Sequence, residues 1–355
     1  MAQPSRPVPS LRPELRHRSG RRAVLGVRLL STLLWLTALG LAAPGQPAAQ
    51  VRAEDILNAV VGVRADIPPN ARTADSLGLL REGSGIVIGE DGLILTIGYV
   101  ILEAGLVEIT GPDGRPVAAD IVGYDHETGF GLVRAAHPLD LKPVALGDSA
   151  ALKPRDEVLV VSQGDPPAVH PALVVSRRDF AGYWEYLLPD AIFTSPPHGA
   201  FGGAALIGRD GRLLGIGSLL VGDSRGDGSA LPGNMFVPID ALKPILPELL
   251  KTGRSTHPPR PWLGLFAEEL QGHIVVTGVS AGGPAASAGI RPGDMIVSVA
   301  GAPIDGLADF YRKVWALGDP GVEVPLRVLR ADGATAEVTV RSGDRYAWLR
   351  LEPTY

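Results

Sequence analysis

Cysteine is absent from this chain, so no disulfide, thiolate nucleophile or thiolate-held metal can contribute to its fold or chemistry. Histidine is sparse, with seven in 355 residues, and none shows the His-x-x-x-His spacing that would point a pair at a metal ion. Neither a cofactor nor a metal site is expected. Aromatic residues make up only 5%, against 45 glycines and 32 prolines, which favours short strands and tight turns over a helical bundle. Basic residues are also few where they would matter for a polyanion. They concentrate in the N-terminal tract SLRPELRHRSGRRAVLGVR, and removing residues 1–49 leaves 26 basic against 37 acidic groups, a net charge of −11. Nucleic acid is excluded as an expected partner.

The basic tract runs into the apolar stretch LLSTLLWLTALGLAA at 29–43 and then the small-residue segment PGQPAAQ. That is the order of an export signal. Arg21-Arg22 followed by apolar residues gives it a loose twin-arginine character. A retained anchor over 23–43 is the competing reading, but the uncharged run falls short of the roughly 20 residues that span a bilayer. The chain is therefore expected to be exported to the periplasm, with 1–49 as a signal peptide.

Beyond it, an expected helix over AEDILNAVVGVRA leads into apolar runs separated by Gly/Asp turns. GSGIVIGEDGLILTIGYVI reads as a hairpin about Asp91-Gly92, and VEITGPDGRPVAADIVGYD, DEVLVVSQGD, PALVVSRRD and AALIGRDGRLLGIGSLL repeat the cadence. Residues 50–250 are thus expected to form a barrel or sandwich. KTGRSTHPPRP (251–261) reads as a proline-rich linker. The tail from 262 to 345 has two strands in WLGLFAEELQGHIVVTGV and a helix at 307–317, with apolar residues at helical spacing, including Phe310, Tyr311 and Val314. A closing hairpin turns about Asp332-Gly333. Residues 346–355 form a tail of no clear pattern.

These motifs carry a resemblance. WLGL (262–265), SAGGPAASAGIRPGDMIVSVAGAPI (280–304) and the helix at 307–317 are similar to a PDZ domain. GSGIVIGEDGLILT, GDSAALKPRDEVLVVSQGDP, GGAALIGRDGRLLGIGS and MFVPID are collinear with the trypsin-like core of HtrA/Deg-type exported serine proteases. The resemblance implies a mostly-β chain, a trypsin-like double β-barrel followed by a PDZ domain built as a small β-barrel with two helices. It also places three catalytic positions. The family's histidine context, Leu-Thr-x-x-His-Val, falls on Leu95-Thr96-Ile97-Gly98-Tyr99-Val100. Its aspartate context falls on Thr128-Gly129-Phe130-Gly131, and its serine context on Gly199-Ala200-Phe201-Gly202-Gly203. Tyr99, Gly129 and Phe201 thus stand where a base, its orienting carboxylate and a nucleophile are required.

Acyl transfer by that route needs all three groups. A phenyl ring offers no nucleophile, and a phenol of ordinary pKa near 10 is a poor base at neutral pH. The expected function is therefore peptide binding without hydrolysis. In the PDZ module Leu263, Gly264 and Leu265 match the loop that binds a terminal carboxylate, with Phe310, Tyr311 or Val314 across the groove. An adaptor, a holdase and a regulatory partner of active HtrA-like proteases all fit, and the family suggests homotrimers. An active serine endopeptidase in periplasmic protein quality control is the alternative. Ser162, Ser195, Ser218, His126 and His198 are read as ordinary loop or strand-end residues, not displaced triad members. The converging rings of Tyr99 and Phe201 are expected to fill the old cleft. The aromatic cluster Phe180, Tyr183, Trp184 and Tyr186 falls where the family carries a sensor loop, either as an interface or as a hairpin with half its rings buried.

Overall fold

A computed structural model describes residues 52–164 and 168–351; the expected export signal lies outside them. Alternation of apolar and polar residues along short strands decides most of the architecture. Strands β1 (Val60–Asp66), β2 (Leu80–Val87), β3 (Leu93–Ile97), β4 (Leu106–Thr110), β5 (Pro116–Tyr124) and β6 (Phe130–Ala135) close into one barrel in the order β1-β2-β3-β6-β5-β4. Strands β7 (Glu157–Ser162), β8 (Ala168–Gly182), β9 (Tyr186–Ser195), β10 (Ala205–Ile207), β11 (Leu213–Val221) and β12 (Gly233–Pro238) close a second, in the order β10-β11-β12-β9-β8-β7. Buried side chains from both barrels join in one core, from Val61 and Ile94 in the first to Phe193 and Val237 in the second. This is a trypsin-like double barrel, as expected.

The helix at the start is shorter than its sequence suggested. Helix α1 covers Ala53–Ala59 and gives way to β1, because the β-branched run from Val60 pairs on both sides, with β2 and with β4. Short helices α2 (Ala74–Leu77) and α3 (Gly98–Ile101) follow, and α4 (Leu246–Thr252) ends the double barrel. The proline-rich stretch after it is fastened down. Gly253 O accepts from Tyr124 N at 3.0 Å, and Arg260 pairs with Glu127 at 2.8 Å.

The third unit contains β13 (Leu265–Leu270), β14 (His273–Val279), β15 (Met295–Val299), β16 (Ala302–Pro303), β17 (Glu323–Leu329) and β18 (Thr335–Arg341), with α5 (Pro284–Ser287) and α6 (Gly306–Trp315). Its pairing is a six-stranded sheet of order β13-β14-β15-β17-β18, with β16 on β15, without the closure seen in the two barrels. Along β17, Val324, Leu326 and Val328 point inward, while Glu323 and Arg327 face water. β13 is an edge strand of this sheet, a position that exposes backbone groups unless something covers them. A last helix, α7 (Arg345–Trp348), returns to the first barrel. Among the described residues no helix is long and apolar enough to cross a membrane.

Candidate functional site

The strand-and-turn framework brings Tyr99, Gly129 and Phe201 around one cavity of about 380 Å³. Tyr99 sits in α3 directly after β3, Gly129 in the turn before β6, and Phe201 in the bend between β9 and β10. The Tyr99 hydroxyl donates to Ser218 O at 3.0 Å, and burial pushes its pKa up, which takes it further from any role as a base. Gly129 has φ +85°, a region an L side chain enters only at a cost. A Cβ built there would lie 3.3 Å from the Tyr186 hydroxyl, which itself donates to Thr128 O at 2.6 Å. The space beside Gly129 is thus taken by the Tyr186 hydroxyl. Asp125 does not supply the missing orienting carboxylate. Its Oδ2 accepts from Thr128 N and from the Thr128 hydroxyl, at 2.8 and 2.7 Å, which fixes the turn.

The expectation of two rings filling the cleft needs correction. The Tyr99 hydroxyl is held by Ser218 O, Tyr99 and Phe201 both line the cavity, and about 380 Å³ of it is left unfilled.

Of the remaining serines and histidines, Ser195 donates to Pro232 O at 3.0 Å. Ser162 Oγ and His198 Nε2 lie 2.8 Å apart, a pairing hidden from sequence reading by a separation of 36 positions. Both are buried, Ser162 completely, so no substrate can reach the hydroxyl. His198 instead clamps its loop: its N–H donates to Asn234 Oδ1 at 2.7 Å, its carbonyl accepts from Asn234 Nδ2 at 3.1 Å, and the His170 ring lies 4.2 Å from its own. Burial, then His170, lowers its pKa. His126 borders the cavity with Nδ1 unpartnered and its ring edge-on to Tyr346 at 4.5 Å. Burial first, then Arg345 and Arg260, push it down to about 3.

The second site is the loop Leu263–Leu265, whose three N–H groups converge on one carboxylate. Leu263 donates to Glu185 Oε2 at 2.9 Å, while Gly264 and Leu265 donate to Oε1 at 2.6 and 2.8 Å. Glu185 stands at φ +56° in the turn joining β8 to β9 and is only 7% exposed. Burial raises its pKa against the pull of these donors and of Arg345. Opposite, the Tyr311 hydroxyl donates to Gly182 O at 2.7 Å and accepts from Glu185 N at 3.2 Å. Of the three groove candidates on α6, only Tyr311 makes a hydrogen bond to this hairpin. Phe310 and Val314 are buried in the core of the unit, because the 3.6-residue period turns them inward. The aromatic cluster is both hairpin and interface. Tyr186 is buried, Tyr183 is 48% exposed, and the hairpin packs on the third unit of its own chain. Glu185, the residue that matters most here, has no sequence signal beyond being the one acidic side chain among these rings.

The C-terminal stretch, patternless in sequence, has a clear place. Trp348 lies 5.2 Å from Trp262, with the Arg72 guanidinium 4.0 Å above its ring. Glu103 accepts from Arg350 N, and also from Arg72 N and Thr73 N.

Residues 83–216 match the family model described as a trypsin-like peptidase domain, and residues 261–341 match the one described as a PDZ domain. The double barrel and the six-stranded unit are therefore a trypsin-like peptidase domain and a PDZ domain, in that order. The pair is similar to that of HtrA-type proteases. The periplasmic pH-dependent serine endoprotease DegQ of Escherichia coli is 29% identical over 282 residues, covering 73% of this chain and 58% of the relative. The putative protease Do-like 14 of Arabidopsis thaliana is 30% identical over 262 residues, 64% of this chain and 58% of the relative. The chain thus spans less than two thirds of the length of these curated relatives. A solved structure of an HtrA-type protease with tripeptide superposes with TM-score 0.50 at 23% identity, over 84% of this chain and 96% of that one, which establishes the shared fold.

Proposed function

We propose that this chain is an exported HtrA-like protein that has lost catalysis and binds extended or C-terminal peptide segments through its PDZ domain, as an adaptor, a chaperone-like protein or a regulator of active relatives. One observation carries the reading. Three successive N–H groups of the Leu263–Leu265 loop already hold a carboxylate, which is the chemistry that captures a peptide terminus. The peptidase domain supports it by what it lacks. Tyr99, Gly129 and Phe201 supply no general base, orienting carboxylate or nucleophile, and the buried Ser162–His198 pair cannot replace them. In this reading residues 1–49 are a signal peptide that sends the chain to the periplasm, 50–250 the peptidase-fold domain, 251–261 the connection, 262–345 the PDZ domain and 346–355 its tail. Trimers of the chain belong to the same reading.

The second reading, an active serine endopeptidase, is favoured by the names of the curated relatives, which are serine endoproteases. Labelling of the purified full chain with a fluorophosphonate probe separates the two. No serine is expected to react, and specific labelling of any serine would sink the proposal.

A further inference from the structure

The structure assigns an occupant to the PDZ groove: the tip of the chain's own hairpin, Gly182–Leu187, is its resident ligand, and a peptide binds by displacing it. The inference rests on the peptide-binding reading above and adds what the groove holds before a peptide arrives.

Four independent contacts place the tip as a ligand would lie. The Tyr183 carbonyl accepts from Ala267 N at 2.8 Å on the free edge of β13. Two residues on, the Glu185 carboxylate takes the N–H groups of Leu263, Gly264 and Leu265. The segment from 183 to 185 therefore runs antiparallel to the edge strand and ends on a carboxylate, the direction and ending of a C-terminal peptide adding itself to a sheet. Leu187 joins the core of the PDZ domain alongside Leu263, Leu265 and Phe310, supplying an apolar anchor. Tyr311 closes the far side, bonding both Gly182 and Glu185. An ion pair between Asp179 and Arg312 and a bond from Arg345 Nη1 to Trp184 O at 3.2 Å hold the flanks.

The occupant defines what can replace it. A competitor needs a carboxylate for the three N–H groups, an extended backbone whose carbonyl reaches Ala267, and an aliphatic side chain for the place of Leu187. Because the tip is covalently attached, a free peptide competes with an intramolecular ligand at high effective concentration. Removing the carboxylate from the tip while leaving the loop intact therefore exposes the site.

The test uses the full chain and a fluorescein-labelled peptide ending in Tyr-Trp-Leu with a free carboxylate, its amidated form serving as control. Fluorescence polarisation gives affinity, and amide hydrogen exchange reads Leu263, Gly264 and Leu265. The expected result is slow exchange of these amides and weak binding in the wild type, with fast exchange and affinity tightened about tenfold or more in Glu185→Ala. Tyr311→Phe keeps both carboxylate and loop, and is expected to shift both readouts the same way by less, so the outcome does not hang on one variant's folding. Wild-type affinity equal to that of both variants, or free exchange of the three amides in the wild type, overturns self-occupancy and leaves peptide binding standing. Amides protected in the wild type and released in the variants, with no peptide bound by any of them, upholds self-occupancy and overturns both displacement and the peptide-binding reading.

Discussion

A serine introduced at position 201 finds no base in Tyr99, because the Tyr99 hydroxyl is committed to Ser218 O and its proton is held more tightly than in water. Phe201→Ser alone is therefore expected to leave fluorophosphonate labelling at background. Adding Tyr99→His supplies an imidazole but no carboxylate to fix its tautomer, a lack that costs on the order of 10⁴ in rate in a serine protease. Gly129→Asp does not complete the set, since an L residue at φ +85° is strained and its Cβ meets the Tyr186 hydroxyl. Efficient casein cleavage by the double variant would refute this account of the site. The neutral histidines give a separate prediction at the same scale. His126 and His198 both titrate below the ordinary value of about 6.5 in the fold. As pH falls below that value the unfolded chain takes up protons that the fold refuses, so their contribution is complete above it and is lost on acidification, down to about 3 for His126. The urea midpoint is expected to be lower at pH 5 than at pH 7.5, and His126→Phe should narrow the gap. Ser162→Ala, which leaves buried His198 Nε2 without its partner, is expected to cost about 1–3 kcal/mol.

At the scale of elements, legibility followed the locality of the signal. The hairpins about Asp91-Gly92 and Asp332-Gly333 and the helix now seen at Gly306–Trp315 were readable because alternation, turn residues and helical period are written in consecutive residues. The turn at Leu263–Leu265 was marked by Gly264 and its apolar neighbours, though not its partner, the Glu185 carboxylate. The extent of α1 was not, because sheet partners on both sides of Val60–Asp66 overrode a helical pattern. Glu185 and α7 were unreadable for a related reason: each acquires meaning only from residues far along the chain, Leu263–Leu265 for one and Tyr124, Arg72 and Trp262 for the other. Helix α7 carries its own prediction. Trp348→Ala removes the ring held between Arg72 and Trp262 and loosens the segment that delivers Arg350 N to Glu103. A loss on the order of 2 kcal/mol is expected from the apolar area uncovered, measured by urea unfolding. A variant as stable as the wild type would mean that α7 is a passive tail.

For the molecule as a whole, the question is whether the peptidase and PDZ domains unfold together. Adjacent domains in one chain generally move independently unless the contact between them is large and apolar. Here separated fastenings join them: the hairpin tip seated against β13 and α6, the α7 segment with its Trp262–Trp348 pair under Arg72 and its bonds to Tyr124 and Glu103, and the Arg260–Glu127 ion pair. The first contributes most, since it places Leu187 of the peptidase domain inside the PDZ core and buries Glu185 with three donors. Unfolding the PDZ domain alone would leave that carboxylate without its donors and expose Leu187, so each domain's loss is charged to the other. Scanning calorimetry of the wild-type chain is therefore expected to show one transition, with calorimetric and van't Hoff enthalpies in agreement. Glu185→Ala should cut the strongest fastening and separate the PDZ transition to lower temperature, leaving the peptidase domain near its original midpoint. Two resolved transitions in the wild type would show that the fastenings are too weak to couple the domains, and a single transition persisting in Glu185→Ala would move the coupling from the hairpin tip to α7 and the Arg260–Glu127 pair.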